Sequence, residues 1–149
     1  MPAVMLDAQH WAQLEQVQRE VNRTVAFASD QAVWGHGEYW EPATTSGDCE
    51  DIALAKRARL MRLGWPVEAL RIAVATDEHG RLHALLTVDA TGADGRPGTW
   101  ALDNRLLYVE PWQRLSELGY RWLERQKPGS SQWVRLGSDP VRGGPVGAG

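Results

Sequence analysis

One cysteine, one phenylalanine and three tyrosines are all that the 149 residues hold of those types. A lone cysteine excludes an internal disulfide, so cysteine pairing gives no reading of the redox compartment. Basic charge is not in excess either: 16 Lys and Arg face 19 Asp and Glu, for a formal net charge of −3. Nucleic-acid binding calls for a basic face or stripe, and that footprint is missing. No apolar run approaches the roughly 20 residues that span a bilayer, so membrane insertion is not expected. The opening MPAVMLDAQHWAQLEQ has no basic stretch followed by a long apolar one, and therefore no visible secretory leader. On this reading the chain is cytoplasmic, or is the mature form of an exported protein.

What is present is the composition of a folded protein, 43% apolar and 23% charged. The length suits one domain with a real core. That domain is expected over residues 1–137, followed by a Gly- and Pro-rich tail over 138–149, DPVRGGPVGAG being its main part. Eight tryptophans are spread along the chain, which reads as core anchors rather than one aromatic platform.

Periodicity supplies the elements. Trp11, Leu14, Val17, Val21 and Val25 recur at spacings of three and four, predicting a helix from Asp7, its N-cap, to about Ala28. A Gly- and aromatic-rich loop containing WGHGEYW follows. A second helix is predicted from near Asp48 to Leu63, stopped by Gly64 and Pro66. Its buried stripe is expected to be Ile52, Ala55, Ala58 or Arg59, and Met61 or Leu63, with Lys56, Arg57 and Arg62 towards solvent. Then come LRIAVAT and RLHALLTVDA around the turn DEHG, followed by TWALDN and RLLYV, which read as an antiparallel meander. LSELGYRWLERQ is ambiguous between helix and irregular chain, and SQWVRL reads as a last strand. The fold class is α+β.

The stretch GDCED sets the single thiol, Cys49, among carboxylates at a helix start. A lone cysteine is usually a small buried hydrophobe. In the first turn of a helix, however, the positive end of the dipole favours thiolate, and free N–H groups stand ready for an oxyanion. A nucleophilic thiol also needs a base. His10 and His79 read as surface residues, and His36 lies in the aromatic loop. His83 interrupts an apolar strand, where it must find a partner whether its role is structural or chemical. Asp103 ends the next strand, where it either forms a turn or orients the imidazole; Asn104 is a weaker candidate for the second role. Asp48, Glu50 and Asp51 crowd three acids into four residues, which suits plain helix capping or a cation.

Taken in order, GDCED opening a helix, a strand histidine in HALLTV and then LDN resemble the bacterial transglutaminase-like cysteine proteinases. That family includes LapG-type periplasmic proteases that cut large cell-surface adhesins. The similarity runs from about Val21 to Val134 and takes in VNRTVAFASD, WGHGEYWEP, GDCEDIALAKRARLMRLGWP, LRIAVA, LHALLTV and ALDN. Ile52 stands where the family often has an aromatic residue. The resemblance implies a papain- or transglutaminase-like core, with Cys49 as nucleophile, His83 as general base and Asp103 as orienting acid. It further implies calcium beside the site, with Asp48, Glu50 and Asp51 as ligands. A periplasmic location, a protein substrate such as a surface adhesin, and an inhibitory membrane receptor follow from it too. Two other readings share the fold: acyl transfer to an amine, as in transglutaminases, and a non-catalytic module holding a peptide in the Trp-rich loop.

Overall fold

The computed structural model describes residues 4–32 and 46–136. The aromatic loop with His36 and the terminal stretch 138–149 therefore lie outside the described residues.

Helix α1 spans Ala8–Ala32 and helix α2 spans Ser46–Arg62. Asp7 caps α1 as predicted, its Oδ1 accepting the His10 N–H at 2.8 Å. Leu14, Val17 and Val21 are buried from that helix. Both helices extend past their predicted bounds, α1 at its C-terminal end and α2 at its N-terminal end. The C-terminus of α2 is set by Gly64, at φ +97°. There Trp65 N–H reaches the Leu60 carbonyl and Gly64 N–H the Met61 carbonyl, both at 3.0 Å, the paired bonds of a Schellman stop.

The strands are β1 (Leu70–Thr76), β2 (Leu82–Thr91), β3 (Pro97–Leu102), β4 (Glu110–Pro111), β5 (Arg121–Gln126) and β6 (Trp133–Arg135). They form one six-stranded sheet in the order β4-β3-β2-β1-β5-β6, every pairing antiparallel. The meander reading holds from β1 to β3; the two-residue β4 lies just past RLLYV, and β5 returns to the far side of β1. Helix α3 (Trp112–Glu117) precedes that return.

Alternating residues of the sheet face two cores. Leu70, Ile72, Ala84, Leu86, Val88 and Leu102 pack with α1 and α2 on one face. Ala73, Ala75, Leu85 and Ala101 meet Trp112, Leu115, Tyr120 and Trp122 on the other. Covered on both sides, β1 reads as an almost unbroken apolar run, which is how its sequence looks. Each fully buried Leu or Ile contributes about 1.5–3 kcal/mol. Trp65, Trp112 and Trp122 are core anchors, whereas Trp133 is exposed.

Three local expectations are corrected, the first being LSELGYRWLERQ, read as helix or irregular chain, whose RWLERQ is strand β5. The buried row of α2 is Cys49, Ile52, Ala53, Lys56 and Leu60, while Ala55, Met61 and Leu63 are exposed. Lys56 is drawn inward because polar partners wait there. RLLYV is not a strand: side chains of α1 take the Leu106 carbonyl and, through Glu15 Oε1 at 3.0 Å, the Val109 N–H. Gln18 Nε2 donates to the carbonyls of Asp103 and Leu106, each at 2.8 Å, and Asn22 Nδ2 to that of Leu106 at 3.1 Å.

Candidate active site

Strand β3 stops at Leu102, opposite Leu86. The amide of Ala84, beyond that stop, donates instead to Cys49 Sγ at 3.2 Å, so the start of α2 sits against the sheet where β3 leaves it. Carrying the register one step further sets Asp103 opposite Leu85. Asp103 and His83 then share a parity and lie diagonally on one face. The side chains meet: His83 Nε2 and Asp103 Oδ1 are 2.8 Å apart. The same imidazole hydrogen-bonds the Cys49 thiol. With Nε2 engaged by the carboxylate, Nδ1 is the nitrogen left for sulfur.

Electrostatics follow this geometry. Burial pushes the Cys49 thiol up, but the His83 hydrogen bond, the Ala84 N–H and the His83 charge outweigh it and the pKa is lowered. Burial would lower the pKa of His83; its hydrogen bonds to Asp103 and Cys49, with their charges, raise it to about 9. Asp103 is fully buried, yet the His83 bond and charge and the Tyr120 and Arg105 donors hold its carboxyl below the usual range. The Cys49 and His83 shifts both run towards thiolate and imidazolium. Cys49 is 1% exposed, as covered as any core cysteine, and the polarity of its partners is what sets it apart.

Several partners escaped sequence reasoning. Tyr120 donates to Asp103 Oδ2 at 2.6 Å and meets the His83 ring edge-on, with centroids 5.9 Å apart. The one signal for it is Gly119 just before it, which ends α3 at φ +108° and turns Tyr120 inward. Lys56 Nζ donates to Gln18 Oε1 at 2.7 Å and to the Leu102 carbonyl at 3.2 Å, tying α2 to α1 and to the residue before Asp103. Burial lowers its pKa to about 7 against the opposing pull of Asp103. His83 Nε2 is met by Asp103 Oδ1, and among the described residues no acceptor meets the Asn104 Nδ2.

The expected calcium ligands fare differently. The Asp48 side chain lies outside the described residues, and Glu50 and Asp51 are both exposed. Among the described residues no three His, Cys, Asp or Glu side chains gather to hold a metal ion. Glu50 and Asp51 offer carboxylate oxygens of the kind calcium takes, but the described residues bring no third acid to them.

A helix-borne thiol facing a histidine and an aspartate across an antiparallel sheet is the arrangement of papain- and transglutaminase-like thiol enzymes. The family model described as bacterial transglutaminase-like cysteine proteinase matches residues 1–140, and the chain belongs to that family. Its class is accordingly that of a cysteine protease, acting on protein. No curated protein matches the sequence. Among solved structures, calcium-bound LapG of Legionella pneumophila is 21% identical with a TM-score of 0.56, over 85% of this chain and 71% of that one. EGTA-treated LapG of the same organism is 19% identical with a TM-score of 0.59, over 86% of this chain and 68% of that one. Both likenesses speak to the α+β fold. No helix among the described residues is long and apolar enough to cross a membrane.

Proposed function

We propose that the chain is a cysteine endopeptidase in which Cys49, His83 and Asp103 form the catalytic set. The observation that carries this is one imidazole engaging both Asp103 Oδ1, at 2.8 Å, and the Cys49 thiol. The thiolate attacks a peptide carbonyl carbon, forming a C–S bond and an oxyanion that first-turn N–H groups of α2 stabilise. Imidazolium then gives its proton to the leaving nitrogen and the C–N bond breaks. Water attacks the thioester, His83 takes a proton from it, and breaking the C–S bond restores the thiolate. Asp103 holds the imidazole orientation throughout. Cys49→Ala is expected to abolish cleavage of a quenched fluorescent peptide, one selected from a library by the wild-type chain, while the circular dichroism spectrum stays native. Cleavage at the wild-type rate by that variant ends the proposal.

The reading extends to a surface adhesin as substrate, an inhibitory membrane receptor and a periplasmic site of action, all on the sequence resemblance. It extends to calcium on two supports: the acids Asp48, Glu50 and Asp51 at the start of α2, and the calcium-bound state of the LapG relative. Calcium should then raise the melting temperature of the metal-stripped chain, and EGTA should reverse the rise. Melting curves that superimpose in calcium and EGTA would remove the ion from the reading.

A further inference from the structure

Beyond Asp103 the polar chain continues outward. Tyr120 donates its hydroxyl proton to Asp103 Oδ2 at 2.6 Å and accepts from Arg105 Nη1 at 2.9 Å. Arg105 also gives its backbone N–H to Asp103 Oδ1 at 2.9 Å, and its guanidinium lies 2.6 Å from Glu78 Oε1 and 3.8 Å from Asp77 Oδ2. The guanidinium stands 5.7 Å from the centre of the Tyr120 ring. A phenol has one proton; with Arg105 filling its acceptor side, that proton has one place to go, the second oxygen of Asp103. Rotation of the Asp103 carboxylate would break this bond and the His83 bond together.

We propose that Tyr120, gripped by Arg105, is a positioning residue that locks the Asp103 carboxylate in the orientation His83 requires. The inference rests on the peptidase reading above and adds to it a residue that touches neither substrate nor thiol. Burial first, and then the charge of Asp103, hold the phenol protonated well above the ordinary tyrosine range, so it stays a donor wherever the protein works. The edge-on ring contact with His83 is a separate matter of packing, which phenylalanine would keep.

Tyr120→Phe removes the donor alone. Loss of a hydrogen bond to a charged group predicts a fall of about ten-fold or more in kcat on the library-selected peptide, with KM within about two-fold of wild type. The low-field proton resonance of His83 Nε2–H should also shift or broaden, a readout that core packing would not move. Arg105→Gln should lower kcat in the same direction, and adding it to Tyr120→Phe should cost little more, because it acts through the same hydroxyl. Wild-type kcat and an unmoved resonance in Tyr120→Phe would overturn the proposal and leave Tyr120 as core packing. Should that variant not fold, Arg105→Gln, a quarter exposed, decides alone: lowered kcat supports the lock and unchanged kcat overturns it. If the wild-type chain cleaves no library peptide, the peptidase reading fails, and the resonance still decides the role of Tyr120.

Discussion

At the residue scale, the charges around Cys49 divide by exposure. Glu50 and Asp51 are exposed, and in water a charge 4 Å away acts with only about 1 kcal/mol, further screened by salt. His83 and the Ala84 N–H act on the sulfur inside the protein, where the effective dielectric constant is several-fold lower and the same geometry counts for more. The inner groups win, and the thiol pKa falls although acids flank it in sequence. Asp103 follows the same logic. A buried carboxylate oxygen left without a donor costs about 1–3 kcal/mol or more, and both of its oxygens are occupied, Oδ1 by His83 and Arg105, Oδ2 by Tyr120.

At the scale of elements, two helix stops make a controlled comparison. Gly64 after α2 and Gly119 after α3 both take left-handed φ values, +97° and +108°. A Cβ on Gly64 meets nothing within 4 Å, whereas one on Gly119 lies 3.0 Å from Glu78 Cβ. Gly64→Ala therefore adds backbone strain alone, about 1 kcal/mol. Gly119→Ala adds strain and also pushes on Glu78, and so on the Arg105–Tyr120 arm. Both variants should melt lower than wild type, Gly119→Ala by a few degrees more, and it alone should lose kcat. Equal melting shifts with wild-type kcat in both would refute this. These stops also show what could be read in advance. Gly64 before Trp65-Pro66 was legible as a helix end, as were the capped start of α1 and the strands LRIAVAT, RLHALLTVDA and SQWVRL, because each carries its own periodicity or turn chemistry. RLLYV and the outward Lys56 misled because tertiary partners overrode the pattern: side chains of α1 took backbone groups of one, and a buried acceptor pair took the ammonium of the other. His83 and Asp103 stood out as polar residues in apolar runs. Tyr120 did not, since its partner is set by a register that no local pattern encodes.

At the scale of the whole molecule, the buried groups write opposite slopes into stability against pH. Lys56 has a folded pKa of about 7 against 10.5 unfolded, so between those values the unfolded chain binds more protons and stability rises with pH. Cys49, its pKa lowered on folding, belongs on the same rising side. His83 runs the other way: its folded pKa of about 9 lies above 6.5, so its contribution is full below about 6.5 and is lost as pH rises through 9. A fully coupled proton changes stability by about 1.4 kcal/mol per pH unit, and between pH 7 and 9 the rising contributions of Lys56 and Cys49 oppose the falling one of His83. Substitutions uncover them. Relative to wild type, Lys56→Met should become steadily less favourable from pH 7 to 10, because it lacks the rising contribution. In a Cys49→Ala background, where the coupled thiol is absent, His83→Gln should become more favourable as pH rises above 6.5, because it lacks the falling contribution. Urea unfolding at half-unit pH steps reads both differences. Two differences that stay level across the range would show that neither group's proton affinity changes on folding, and the buried polar links from α2 through Lys56 and His83 would then be electrostatically silent.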